Sequence, residues 1–445
     1  MKRFVLCAAV LLSLSSISSR AQKSPEEKLN MTMYAIMNMY VDTVDKASFV
    51  DGMIARAMNE LDPFSAYLTP EEVMASEAAL LGPTAGDPSA FPVNAANAGE
   101  SSGIYDGYAS GTVQTAYIAD KKSGTGYIRL TMFAEHTLDE FRSAVSELRK
   151  QGMKNLVLDL QGNPGGFFES AVAVADEFLD GDKTIVTTSG AHIPTRTASA
   201  QIDGCFEKGR LVLLVDDRTM SAAEILAGAL RDWDRAVLVG RPTFGKGLIQ
   251  ETLPFEDGSA LRITVARYLT PSGMQIQKPY EGYGRVYADP TLVYRSLLKG
   301  RELHSGGGIG VDVQVPRDTT FMTEWYYNLA FNGMQKMEAA SYLERNRDAL
   351  LKKYRTSDIF FRKFNGEEEM FSEMVGMAEG AGITCPGQEY ERTAPAVKTQ
   401  LKALLARALY PDDHNIYYRI LNTASPSVIR ALEIIRSDEY DNILK

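Results

Sequence analysis

The sequence predicts an α/β fold with helical elements at both ends. Three short apolar runs carry the first part of that expectation: Leu156–Leu160, Leu211–Val215 and Ala236–Val239 read as buried strands. Helical patterns at Phe167–Leu179 and Ala222–Trp233 alternate with them, and this β-α-β rhythm implies a mostly parallel sheet with helices on its faces. Apolar stripes at helical spacing lie on either side of that middle. A chain of 445 residues has room for two or three domains and a full-sized core.

Taken in order, residues 1–21 read as a secretory signal peptide: Lys2 and Arg3, an apolar stretch Phe4–Leu14, then the small-residue exit Ser19-Arg20-Ala21. Export to the periplasm or beyond is the expectation. Residues 22–81 form a helical region. Leu29, Met33, Ile36, Met37, Tyr40 and Val41 make one amphipathic stripe; Phe49, Met53, Ile54, Ala57, Met58 and Leu61 make a second, ending at Asp62-Pro63. Residues 82–112 are mostly Gly, Ala, Ser, Pro and Asn, the texture of a linker. The core runs over 113–316, closing with an antiparallel-looking pair, Leu248–Pro254 and Ser259–Tyr268, around the Asp257-Gly258 turn. Residues 317–445 are helical again, with their clearest stripe at Val397, Leu401, Leu404, Leu405, Ala408 and Leu409. Every stripe reads as core or interface packing, and a homo-oligomer through the terminal helices is one expectation it leaves.

Composition removes several function classes. Hydrophobic residues at 45% and charged residues at 23% are those of a folded globular chain. The net charge of -10 argues against nucleic-acid binding, which needs clustered positive charge. No apolar run past the N-terminus is long enough to span a membrane. The four histidines, His136, His192, His304 and His414, are scattered, and no Cys-x-x-Cys occurs, so neither a metal nor another cofactor is expected. Cys205 and Cys385 remain after removal of the leader, and one disulfide is compatible with them.

Three segments sit just past strand ends, where an open α/β sheet places its chemistry. The first is Gln161-Gly162-Asn163-Pro164-Gly165-Gly166, whose adjacent glycines turn backbone N–H groups outward ahead of a helix. On its own, a plain turn is the better reading. The second is Asp216 to Glu224. Read plainly, Ser221-x-x-Glu224 is a capping box; read sharply, Ser221 is a nucleophile at a strand-to-helix turn, with the Ala222 N–H beside it. The third, Gly240 to Gly247, narrowly misses a phosphate-binding loop. Gly247 offers magnesium no hydroxyl and a strand follows instead of a helix, so the ATPase reading is rejected. Lys246, between two glycines, suits a tight pocket that lowers its pKa and makes it a neutral base.

Asn-Pro-Gly-Gly, Ser-Ala-Ala-Glu and Phe-Gly-Lys-Gly with Gln250 beyond, in that order, resemble the C-terminal processing (tail-specific) peptidases, a serine-peptidase family with a Ser-Lys dyad. Supporting phrases are Leu61-Asp62-Pro63-Phe64-Ser65-Ala66-Tyr67-Leu68, Gly126–Leu130, Ala266–Gly273 and Gly306–Ile309. The resemblance implies a crotonase-like core, Ser221 as nucleophile, Lys246 as base and Gln250 orienting the lysine. It implies an oxyanion hole from the backbone of Gly165 or Gly166 with Ala222, and it marks Asp232 as a supporting acidic position. Two departures stand out. Arg218-Thr219-Met220 replaces the small residues usual before the nucleophile. The PDZ domain that the family usually inserts ahead of the core is replaced by linker-like sequence, which puts substrate recognition in question. The expected function is therefore exported serine endopeptidase activity on the C-terminal regions of exported proteins, with protein or peptide substrates. The alternative is a non-catalytic peptide- or ligand-binding protein on the same fold.

Overall fold

The computed structural model describes residues 24–81, 111–279, 292–304 and 306–445. The expected leader at 1–21 lies outside them, and so does nearly all of the expected linker. The chain divides into two units at Leu61. The first contains helices Pro25–Met39 and Lys46–Asn59. Ser24 and Glu27 cap the former reciprocally, and Pro25 occupies its first turn, where no backbone donor is required. Asp45 caps the latter by accepting from the Ser48 amide at 2.8 Å.

The second unit holds two sheets. In chain order its strands are β1 (Ala66–Leu68), β2 (Val113–Asp120), β3 (Thr125–Leu130), β4 (Asn155–Asp159), β5 (Thr184–Ser189), β6 (Arg196–Ser199) and β7 (Leu211–Val215). Then come β8 (Val237–Gly240), β9 (Leu248–Pro254), β10 (Ala260–Leu269), β11 (Val293–Arg295), β12 (Glu302–His304) and β13 (Val313–Gln314). The six-stranded sheet runs β13-β8-β7-β4-β3-β2. All its neighbours are parallel except β3 and β2. The second sheet is antiparallel, β1-β10-β5-β6, with β9 also on β10. The β11–β12 pair stands apart as a small ribbon.

Alternation along the parallel strands splits the core into two layers. Leu211, Leu213 and Val215 face helices Thr137–Lys150, Phe168–Asp176 and Ala222–Asp232 through Phe141, Val174, Leu226 and their neighbours. Val212 and Leu214 face the opposite way, onto Val428, Ala431, Ile434 and Ile435 of helix Pro426–Arg436. Each such buried aliphatic side chain contributes roughly 1.5–3 kcal/mol. The C-terminal region is thus helical but not all of one piece. Helices from Glu324 to Leu421 gather around Trp325, Phe360, Phe371 and Leu405, whereas Pro426–Arg436 covers the second face of the core sheet. The α/β core with helices at both ends agrees with the expected fold class. Cys205 packs beside the first layer and Cys385 beside the helical cluster; both thiols are free, so the disulfide that the sequence allows is not formed.

Candidate active site

Because β4, β7 and β8 are parallel neighbours, the loops leaving their carboxyl ends converge on one edge of the sheet. These are the three segments singled out above. Asn163, fully buried, shapes the first. Its side chain donates to the Leu130 carbonyl at 3.1 Å and accepts from the Gly165 amide at 2.8 Å, and its own carbonyl takes the Met220 amide at 3.0 Å. That last bond stitches the glycine loop to the serine turn. The contact is close enough that a Cβ on Gly165 would stand 2.9 Å from the Ser221 Cβ. Gly166 has φ 135°, and a Cβ there would meet the Phe133 carbonyl at 2.0 Å, so only glycine fits.

Ser221 carries φ 56° and ψ −121°, a conformation that L-residues adopt only when their surroundings impose it. Several bonds do so. The Ser221 amide donates to Glu224 Oε2 at 2.9 Å, the Glu224 amide returns to the Ser221 carbonyl at 2.8 Å, and the Phe244 amide holds the Thr219 carbonyl at 2.9 Å. Thr219, in the departing Arg-Thr-Met stretch, is buried and donates its hydroxyl to the Leu160 carbonyl at 2.8 Å. The plain capping reading of Glu224 is therefore true for the Ser221 amide. Yet Glu224 does more than cap: its buried carboxylate also accepts from Thr243 Oγ1 at 2.5 Å, the Gly245 amide at 2.7 Å and the Lys246 amide at 2.8 Å. The backbones of Ser221 and Lys246 end on the same oxygen, Oε2. Burial pushes the Glu224 carboxyl up to about 7, while its four donors favour the ionised form.

Lys246 Nζ donates to Gln250 Oε1 at 3.1 Å, and Gln250 Nε2 donates to the Phe64 carbonyl at 2.6 Å. The Phe64 ring lies over the ammonium, 5.1 Å from nitrogen to centroid. Phe64 is presented by a tight turn in which Asp62 accepts from the amides of Phe64 and Ser65 at 2.8 and 2.7 Å. β1 then pairs with β10, fixing the turn against the sheet. Burial holds the Lys246 amine below the ordinary lysine range, and the Arg262 guanidinium adds to that, partly offset by Asp62 and Glu224.

The structure thus gathers Ser221, Lys246, Gln250, Gly165, Gly166 and Ala222 at one sheet edge. The Gly165 amide is already taken by Asn163, whereas no acceptor among the described residues takes the amides of Gly166 or Ala222. Asp232 lies elsewhere. It ends the helix that Ser221 begins, about 16 Å along at 1.5 Å per residue, and its buried carboxylate binds Arg231 and the Ser272 amide at 3.0 Å. It braces the Pro271-Ser272 turn and is not among the site groups. Phe64 and Tyr268 carry no role in the sequence reading, and Glu224 carries only that of a helix cap. The Tyr268 amide donates to the Gly247 carbonyl at 2.9 Å, and burial pushes its phenol up to about 12. Phe64 and Tyr268 both fall inside the phrases quoted for the resemblance, which was the one signal available for them. Chemically, the group offers a hydroxyl on a strained turn, an amine biased toward its neutral form and two free amide donors, the parts needed for acyl transfer.

Residues 124–284 match the model of peptidase family S41, and residues 325–412 match a family of unknown function. Carboxyl-terminal-processing peptidase 3, chloroplastic, of Arabidopsis thaliana is 43% identical over 154 residues, covering 35% of this chain and 30% of the relative. The carboxy-terminal processing protease CtpA of Bacillus subtilis is 33% identical over 235 residues, covering 52% and 49%. The carboxyl-terminal-processing protease of Picosynechococcus is 40% identical over 192 residues, covering 40% and 46%. The chain therefore matches 30% to 49% of the length of these relatives. The solved structure of a photosystem II D1 C-terminal processing protease overlays 67% of this chain and 88% of its own, at 24% identity and a TM-score of 0.44. The segments from the Gly165-Gly166 loop to Gln250 fall inside the family match, the Phe64 turn lies before it, and residues 124–284 form a peptidase family S41 domain.

Proposed function

We propose that this chain is a serine endopeptidase of the C-terminal processing type, exported, and acting by a Ser221–Lys246 dyad. The observation that carries the reading is the buried Glu224 carboxylate. It receives the backbone of the serine turn and of the lysine loop on one oxygen, and so supports both groups from a single point. Neutral Lys246 takes the Ser221 hydroxyl proton as Oγ attacks the substrate carbonyl carbon. The oxyanion that forms is received by the amides of Gly166 and Ala222, each such donor accounting for roughly 10²–10³ in rate. The Lys246 ammonium then protonates the leaving amine, the C–N bond breaks, and water releases the acyl group by the same steps. Gln250, anchored on the Phe64 carbonyl, keeps the lysine Nζ in place. The leader pattern of residues 1–21 supports export, and the relatives' printed names support processing of C-terminal regions.

Peptide release by wild type and variants tests this. Ser221→Ala, Lys246→Ala and Lys246→Arg are each expected to fall to background with unchanged folding, since a guanidinium cannot accept the proton. The double variant is expected to be no worse than either single one. Turnover by folded Lys246→Arg would remove the lysine from the role of base. Intact-mass analysis of the exported protein is expected to find Gln22 at the N-terminus; Met1 there would overturn the export reading.

A further inference from the structure

The Arg218-Thr219-Met220 stretch has no part in the dyad, yet it is where the glycine loop is fastened to the serine turn. The fastening centres on Asp216, the first residue after β7, whose side chain is buried. Its Oδ1 accepts from the Gly162 amide, in the loop after β4, at 2.9 Å and from the Arg218 amide at 3.1 Å. Its own amide donates to Thr219 Oγ1 at 3.0 Å, and that hydroxyl donates on to the Leu160 carbonyl at 2.8 Å. Its Oδ2 faces Nη2 of Arg241, the first residue after β8, at 3.5 Å. One carboxylate thus touches all three loops of the site. Glu224 ties the serine turn to the lysine loop; Asp216 ties it to the glycine loop, and the two share no donor. The amides of Gly166 and Ala222 lie one on each of the two segments that Asp216 joins. Donors on separate segments stabilise an oxyanion well only when their spacing is fixed in advance.

We propose that Asp216 is a positioning residue for the oxyanion hole: by holding the Gly162 and Arg218 amides on one oxygen, it sets the spacing between the Gly166 and Ala222 amides. This rests on the dyad reading given above. The acceptor rather than the charge performs the task. Both backbone bonds end on Oδ1, whereas Arg241 reaches Oδ2 and has Asp217 as its nearer partner, at 2.6 Å. Asp216 exchanges no proton in the cycle and touches none of the reacting atoms.

Three variants separate acceptor from charge. Asp216→Asn keeps an acceptor at Oδ1 and drops the charge, Asp216→Glu keeps the charge and displaces the acceptor, and Asp216→Ala removes both. Each is measured in the full chain for kcat and KM on a cleaved peptide across pH. Each is also measured for the rate and the final extent of labelling by a serine-directed fluorophosphonate, the extent counting folded sites. In Asp216→Ala and Asp216→Glu, kcat per labelled site is expected to fall roughly 10- to 100-fold, labelling rate in parallel, with KM within about twofold. Asp216→Asn is expected to stay within about threefold of wild type, and the acid limb of the pH profile to stay in place in all three, since Glu224 and Gln250 still hold the lysine. Unimpaired turnover in Asp216→Glu overturns the proposal. So does a loss confined to KM or to the number of sites, which is what a purely structural aspartate gives. An equal loss in Asp216→Asn assigns the effect to the charge, and a shifted acid limb assigns it to the lysine; either overturns the proposal. If Asp216→Ala yields no labelled sites, the Glu and Asn variants decide the matter alone. Retained activity in Ser221→Ala overturns the dyad reading instead, and that outcome is read in a separate variant.

Discussion

Two glutamates, one in the α/β core and one in the C-terminal helices, are equally buried and differ in everything else. Glu224 receives four hydrogen bonds, two on each oxygen. Neither oxygen of Glu338 accepts any; the Arg345 guanidinium stands 3.8 Å from one of them and is engaged by Glu373. Burial raises both carboxyls to about 7, with Glu373 adding to the effect at Glu338. The contrast separates a charge that organises its surroundings from one that is merely enclosed. Donors converging on Glu224 define where two loops go, whereas Glu338 is a cost that helix packing absorbs.

The largest expected effect tests the first half of that contrast. Glu224→Gln replaces one acceptor oxygen by NH2, so whichever way the amide lies, two donors face another donor. Each unpaired buried donor costs about 1–3 kcal/mol. Activity is expected to fall at least ~100-fold as the Ser221 and Lys246 loops separate, together with a loss of several degrees in melting temperature. Retention of activity within a few fold would show that the loops hold themselves.

Gln250→Ala comes next, with an expected loss of roughly 10- to 100-fold in kcat, since it frees Lys246 Nζ without opening the loops. The pH profile sharpens the same point. On the proposed dyad, activity needs Lys246 deprotonated and Glu224 ionised, so kcat/KM is expected to rise with pH through both transitions and to be lost on the acid side. Arg262 helps hold the lysine's pKa down, and Arg262→Gln is expected to move the lysine part of that limb to higher pH. An unmoved limb would detach Arg262 from the base.

The smallest effect concerns Glu338. A carboxyl held above its unfolded value of 4.5 binds its proton more tightly in the folded chain. Its contribution therefore weakens as pH rises from about 4.5 to about 7 and stays low above that. Glu338→Gln is expected to gain about 1–2 kcal/mol at pH 8, little at pH 5, and to leave peptide cleavage unchanged. Denaturant titrations at the two pH values check it, and destabilisation at pH 8 would mean that the carboxylate has a partner in solution.

Much of this arrangement is legible in the chain. The strand runs, the helix after Ser221 and the Asp257-Gly258 turn are local patterns, and local patterns report periodicity and turn chemistry directly. The division into two sheets is not, because Ala66–Leu68 finds its partner in Ala260–Arg262 far along the chain. The stripe at Val428, Ala431, Ile434 and Ile435 announces a buried helix face without saying that it buries the core sheet. The same limit governs the site. Ser-x-x-Glu predicts the cap on Ser221 but is silent on Gly245 and Lys246, which reach the same carboxylate through tertiary folding. Asp232 shows the converse: an acidic residue near a candidate nucleophile in sequence, carried three helical turns away in space.

The bond from Gln250 to the Phe64 carbonyl spans 186 residues, and that between Ser65 and Thr264 spans 199. Contacts of such sequence separation form late, because loop closure must be accomplished before they contribute. The amine at the candidate site is therefore steadied only after the Asp62 turn has docked on β10. A chain still being made holds Phe64 long before Lys246, yet sets the two side by side only once β10, at Ala260–Leu269, has followed. On the proposed reading, competence to cut is in this sense a property of the finished topology and depends on that docking.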